Sequence, residues 1–419
     1  MRVKKIIATD GLGGFWNDDN EAIKRGAEPD GFTYKGKPVT PGFTAIRQPS
    51  KAVSVILVLD SGELAHGDCV WVQYGGKRAG REMLASSDQV VPLVHRIVEP
   101  WLIKRDLNSF RSLMNEMQRD LDLPRAVKYG VSQAVLDAIA KSKRKTMAEV
   151  LAEEYGTTIE NKPFAFFTQC GDEYHYSVDK MILRRIPVFP HGLIDNAARF
   201  RKALDYVKWA RQRIRELVPD ETYKPILHYD FYGNMGLAFG NDMEKVIDYL
   251  RQLEDVAKPF KLQVEDPFHM SSKAEQMEAM SKLRRRIKEE GLALKLVADE
   301  WVPTLEDKID FIKAEAADIY QIKPPDLGSV DKSVEAVLYC KSKGLGAYLG
   351  GSSAETARSA EVSVHIALAT RPDQVLAKPG MGVDEGVSIM YNEMQRALAL
   401  IFGSSSRQTC RKHLTHDAR

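Results

Sequence analysis

Cysteine is scarce in this chain. Cys69, Cys170, Cys340 and Cys410 are the only four in 419 residues, and no two share a CxxC spacing. That leaves neither a disulfide framework nor a cysteine-based zinc site to hold the fold. An excess of one charge is missing as well. Lys and Arg number 60 against 58 Asp and Glu, a formal net charge of +2. A broad basic face for phosphate backbones is therefore not indicated, and no nucleic-acid partner is expected. No run comes near the roughly 20 apolar residues of a membrane helix, so no membrane partner is expected either. The first residues reach the polar Asp18-Asp19 without an apolar stretch of signal-peptide length. Low-complexity segments and short-period repeats are also lacking. The composition, 44% hydrophobic and 28% charged, is that of an ordinary globular protein. These absences predict a reduced, cytoplasmic, enzyme-sized chain.

What is present falls into two textures. The first part mixes strand and helix signals. Val53–Leu59 is apolar and β-branched and ends in the turn Asp60-Ser-Gly62, which predicts a strand. Val127, Val131, Ala134, Val135 and Ala138 recur at three and four residues, the buried stripe of a helix. Lys141–Lys145 reads as that helix's solvated C-terminus, where the dipole favours cations. After Asn161, short apolar strands alternate with amphipathic helical stretches such as Ala198–Leu217 and Met243–Ala257. The strand candidates are Pro163–Thr168, Lys180–Arg184, Ile226–Tyr229, Lys261–Val264, Leu294–Ala298, Ile319–Ile322, Gly346–Leu349 and Gln374–Ala377. Eight parallel strands with helical crossovers close most economically as a barrel, which leaves no exposed edge. The fold class expected is therefore α/β, a (β/α)8 TIM-like barrel over 161–403. An α+β domain over 1–160 precedes it and a polar tail over 404–419 follows.

The reactive residues of such a barrel lie at the C-terminal ends of its strands. Read there, the chain offers Gln169 after strand one and His191 after strand two. Strands three to five end in Asp230, Glu265 and Asp299, and strand six ends in Gln321-Ile-Lys323. The loop after strand seven carries Ser352 and Ser353. The three carboxylates are 35 and 34 residues apart, one βα unit each. Adjacent strands lie about 4.8 Å apart, so the side chains can converge on one cation. Hard oxygen ligands with open positions suit Mg²⁺. Glu300 competes with Asp299 for the ligand role, and spacing does not separate them. Lys323, one strand further on, is placed as a base. A free lysine is protonated at neutral pH, but a neighbouring Mg²⁺ and partial desolvation favour the neutral amine. Abstraction of a carbon-bound proton beside a carboxylate follows, with a divalent ion stabilising the enolate.

These motifs resemble the enolase superfamily, and within it the methylaspartate ammonia-lyase family. The resemblance runs from Gly31-Phe-Thr-Tyr34 and His66-Gly-Asp-Cys69 to Leu376–Gly386. Its most specific blocks are Leu296–Trp301, Gln321-Ile-Lys323 with Asp326-Leu-Gly328, and Glu355-Thr with Arg358-Ser-Ala-Glu361. Met181–Arg185, read as strand two, lacks the paired lysines of the muconate-cycloisomerase-like branch. The resemblance implies that 1–160 caps the barrel and that Asp230, Glu265 and Asp299 hold Mg²⁺. It implies that Lys323 removes the C3 proton of L-threo-3-methylaspartate, with His191 as acid/base on the opposite face. Gln169 and Gln321 would contact substrate through their amides, and Ser352 and Ser353 would hold a substrate carboxylate through backbone amides. Phe167, Tyr348, Leu376 and Met381 would wall the substrate methyl group. Ammonia leaves C2 to give mesaconate, reversibly. The family further implies K⁺ activation, a homodimer and a place in glutamate fermentation.

The loop after strand seven departs from the pattern. The family commonly reads Gly-Gly-Thr-Cys-Asn-Glu-Thr-Asn-Arg, whereas this chain has Gly350-Gly-Ser-Ser-Ala-Glu-Thr-Ala-Arg358. A thiol, a methyl and two amides are lost, which bears on substrate size but not on reaction class. The rival reading is another enolase-superfamily dehydratase or isomerase acting on a carboxylate substrate. Two glycine-rich stretches, Gly11–Phe15 and Gly75–Gly80, lack the P-loop Gly-Lys-Ser/Thr ending and read as turns of the first domain. Cys170, next to Gln169, reads as a small buried hydrophobe.

Overall fold

The computed structural model describes residues 1–72, 81–171 and 173–414, with the backbone alone for Lys24 and 404–414. The stretch Gly75–Gly80 lies outside the described residues.

The chain opens with an antiparallel sheet of Val3–Asp18, Arg47–Leu59 and Leu64–Cys69, the longest two paired over most of their length. Val53, Val55, Leu57 and Leu59 alternate onto its buried face, as period-two side chains require. The helix Arg125–Lys143 packs against that face. All five residues of its predicted stripe are buried, and it ends at Arg144 in left-handed conformation (φ 52°). Helix and sheet meet at Gly67 and Gly130. A Cβ on Gly67 would run into Gly130 O, and one on Gly130 into Cys69.

The second part is a closed parallel barrel of eight strands in sequence order. They are Phe166–Phe167, Val188–Leu193, Ile226–Asp230, Lys261–Glu265, Lys295–Ala298, Ile319–Ile322, Gly346–Leu349 and Gln374–Leu376. The last pairs with the first, Leu376 opposite Phe167. The α/β barrel class expected from sequence is the observed one.

One strand expectation is wrong. Lys180–Arg184 is not strand two but the end of a helix, Tyr174–Leu183, burying Ser177, Val178, Met181 and Ile182 at helical spacing. Strand two is Val188–Leu193, so His191 lies within it rather than after it. The absence of paired lysines must therefore be read on Val188–Leu193, which also contains none. Two smaller differences concern helices. Ala198–Leu217 is two helices, Ala197–Arg201 and Ala203–Leu217. The terminal helix, Glu385–Leu414, runs on into the segment expected as a tail, as far as the described residues go.

Inside the barrel, Phe167, Val188, Val297, Ile319, Tyr348 and Leu376 form a cluster separate from the main core. Side chains two residues further along a strand point the same way. Polar residues at the strand ends therefore stand directly above this apolar plug.

Candidate active site

Parallel register sets the site. Asp230 pairs with Glu265, and Glu265 with Val297, two residues before Asp299. Asp230, Glu265 and Asp299 are all buried. Each is the last inward-facing position of its strand or lies just beyond it, so three carboxylates crowd the barrel's C-terminal mouth. Gln169, His191, Asp230, Asp299, Gln321 and Lys323 line one pocket there. Ser352, Ser353 and Met381 complete its wall, and Val72 reaches it from the first domain.

Crowding shows in the electrostatics. Burial, then the charges of Glu265, Asp266 and Asp299, push the Asp230 carboxyl well above the usual range. Burial would also push Glu265 up, but the facing imidazoles of His191 at 3.4 Å and His228 at 2.6 Å outweigh it and hold it low. Full ionisation of these acids would leave negative charge at the Asp230 end that burial and the neighbouring carboxylates oppose. Oxygens of Glu265, Asp266 and Asp299 lie within 4.8 Å of one another, as a shared cation would need. Gln321 Oε1 and Tyr348 OH are buried without a hydrogen-bond partner. All-oxygen donors, crowded acids and unspent polar atoms fit a hard divalent cation such as Mg²⁺.

Asp299 and Glu300 separate once the backbone is placed. Lys323 Nζ donates to Asp299 Oδ2 at 2.6 Å across the pocket. Glu300 does not line the pocket; it faces Arg81 at 3.3 Å. Arg81 is a buried guanidinium that also donates to Asp299 (3.1 Å) and Asp326 (2.9 Å). His228, two residues before Asp230, donates or accepts between Gln263 (2.7 Å) and Glu265 (2.6 Å). Asp266, at φ 38°, accepts from the amides of Asp299 (3.3 Å) and Glu300 (2.7 Å).

The remaining expectations divide. Met381 lines the pocket, but Phe167, Tyr348 and Leu376 sit in the apolar plug below it. Phe167 meets the His191 ring edge-on at 5.3 Å. The Ser352 amide is spent on Glu355 Oε2 at 2.9 Å, so it is not presented to a ligand in the way expected. His228, Asp266 and Arg81 are contacts that sequence reasoning passed over. Period two links His228 to Asp230 and would have found it, whereas no local signal marks Arg81.

A family model described as Methylaspartate ammonia-lyase C-terminus matches residues 158–402, and the companion N-terminus model matches 1–156. The chain belongs to the methylaspartate ammonia-lyase family. Methylaspartate ammonia-lyase 2 of Carboxydothermus hydrogenoformans is 49% identical over 96% of this chain and 99% of its own. The enzyme of Clostridium tetanomorphum is 45% identical over 96% and 99%. Among solved structures, the Mg complex of beta-methylaspartase from Clostridium tetanomorphum has a TM-score of 0.89. It shares 45% identity over 96% of this chain and 99% of that one. Citrobacter amalonaticus methylaspartate ammonia lyase containing (2S,3S)-3-methylaspartic acid gives 0.93 at 40% identity, over 96% and 100%. Muconate lactonizing enzyme from Pseudomonas putida, at 16% identity and a TM-score of 0.63, shares the fold.

Proposed function

We propose that this chain is a carbon–nitrogen lyase, a methylaspartate ammonia-lyase that eliminates ammonia reversibly from L-threo-3-methylaspartate to give mesaconate. The observation that carries the reading is the meeting of Lys323 with Asp230 and Asp299 in one pocket, with Glu265 buried beside them, in a member of this family. Asp230, Glu265 and Asp299 would hold Mg²⁺. Once bound, that ion supplies electrostatic stabilisation to the substrate carboxylate on which charge develops. Lys323, as a neutral amine, takes the C3 proton. The C3–H electron pair becomes the C2–C3 double bond as the C2–N bond breaks and ammonia leaves. His191, across the pocket, serves the other diastereomer as acid/base. Gln169 and Gln321 hold substrate through their amides, and Gln321 already donates to Glu265 at 3.3 Å. Ser353 and Met381 bound the substrate from the opposite wall.

The same reading divides the chain into a cap over 1–160, a catalytic barrel over 161–403 and a tail beyond. It includes a homodimer, K⁺ as activator, a cytoplasmic location and a role in glutamate fermentation through mesaconate. No helix among the described residues is long and apolar enough to cross a membrane.

Ultraviolet absorbance tests the activity directly. Mesaconate should accumulate from 3-methylaspartate with Mg²⁺ and stop with chelator. The same assay on aspartate and bulkier 3-alkyl analogues defines the pocket's size. No absorbance change with any of them would return the rival dehydratase or isomerase reading.

A further inference from the structure

Glu355 and Lys378 belong to sequence blocks that the proposed chemistry leaves without a task. Both side chains are fully buried, and Lys378 Nζ lies 2.8 Å from Glu355 Oε2. The pair sits beneath the loop after barrel strand seven. Lys378 Nζ also donates to Gly350 O at 2.9 Å. Glu355 Oε2 accepts from the Ser352 amide at 2.9 Å, and the Gly380 amide donates to Ser353 O at 2.9 Å. Successive peptides of the loop are thus tied from below. Gly351, at φ 142°, has no room for a Cβ, which would run into Glu355 Oε2 and Lys378 Nζ. The first domain reaches the same point, with Tyr129 OH donating to Glu355 Oε1 at 3.2 Å and the Gly14 amide to Glu355 O at 2.9 Å.

We infer that the Glu355–Lys378 pair is a positioning device. It fixes the Gly351–Ser353 wall of the pocket against the first domain and so sets substrate affinity without contributing to the metal site. A buried pair need not add stability, since its desolvation offsets much of the attraction. What it supplies here is one fixed backbone geometry for the loop facing the substrate. The inference rests on the lyase reading for its substrate.

The test compares the wild type with the Glu355→Gln/Lys378→Met double variant, which leaves no unpaired buried charge, and with Tyr129→Phe, which removes one hydroxyl. Each is followed by KM and kcat for 3-methylaspartate, by mesaconate binding, by Mn²⁺ titration and by thermal unfolding. The double variant should raise KM and weaken mesaconate by about tenfold or more, the scale of a lost charge-assisted hydrogen bond. Its kcat and Mn²⁺ affinity should stay within about threefold of wild type. Tyr129→Phe should shift KM the same way by about threefold, which keeps the idea testable if the double variant does not fold. Unchanged KM and mesaconate affinity in a folded variant overturns the inference, as does a parallel fall in Mn²⁺ affinity. An inactive wild type instead sinks the lyase reading itself.

Discussion

Lys323 Nζ lies 2.6 Å from Asp299 Oδ2, so the amine expected to take a proton touches a carboxylate expected to hold the metal. The contact is local to the pocket, and no other ion pair draws Lys323 away among the described residues. A divalent ion sharing Asp299 would compete with the ammonium for the same oxygen. Base and metal would therefore be coupled through one carboxylate.

Lys323→Ala should cut turnover of the threo substrate by about 10²–10⁴-fold, the range of a lost general base. Mn²⁺ binding should persist, because the three strand-end carboxylates remain. Single-turnover mesaconate formation and metal titration on the same sample separate the two effects. Near-normal turnover would remove Lys323 from the mechanism.

Most of the barrel was readable because its later strands are short and apolar and most are finished by a polar residue. Strand two escaped because Val188–Leu193 contains Pro190 and Gly192, both poor strand residues, and its register with strand three is irregular there. The apolar trio Met181-Ile-Leu183 imitates a strand, and only its helical spacing of buried positions gives it away. The strand-end positions of Asp230, Glu265 and Asp299 were legible from unit spacing, and that of Lys323 from its place after the next strand. Whether Asp299 or Glu300 faces the pocket depends on strand orientation at the last residue. Arg81 was illegible, since its partner Asp299 lies 218 positions away. Such a contact exists only once the two parts of the chain are packed together.

Asp230→Asn should act in opposite directions with and without metal. The like charges of Glu265, Asp266 and Asp299 disfavour an ionised Asp230, so the amide should raise the unfolding temperature in chelator. With Mg²⁺ the variant should be the less stable one, and its Mg²⁺ requirement should rise by about tenfold or more, as for other groups around a metal. Differential scanning calorimetry in both conditions reads the crossing. A lower unfolding temperature in chelator as well would mean that the cluster is balanced without a cation.

The family resemblance implies a cysteine where this chain has Ser353, and Cys69, Cys170 and Cys340 are buried. Burial pushes the Cys170 and Cys340 thiols up to about 12, and thiols so protonated react slowly. N-ethylmaleimide should therefore leave activity largely intact. A thiol at position 353 would also be buried but would line the pocket, so Ser353→Cys should introduce inhibition that substrate protects against. Rapid inactivation of the unmodified protein, mapped by mass spectrometry to Cys170, would contradict this ordering.

Arg81 makes the severest stability test. Its side chain is 3% exposed and meets Asp299, Glu300 and Asp326, two acids just beyond one barrel strand and one in the short helix Pro324–Leu327 after the next. Removing one partner of a buried ion network costs about 3–5 kcal/mol, because the charges left behind are neither solvated nor paired. Arg81→Gln should fall in that range by urea unfolding in chelator, where metal binding adds nothing. Arg81→Lys restores a charge but not the planar fork that reaches three acids at once, so it should recover only part of the loss. If both variants unfold like the wild type, the three acids must find other partners, and the first domain is not held to the barrel mouth through this residue.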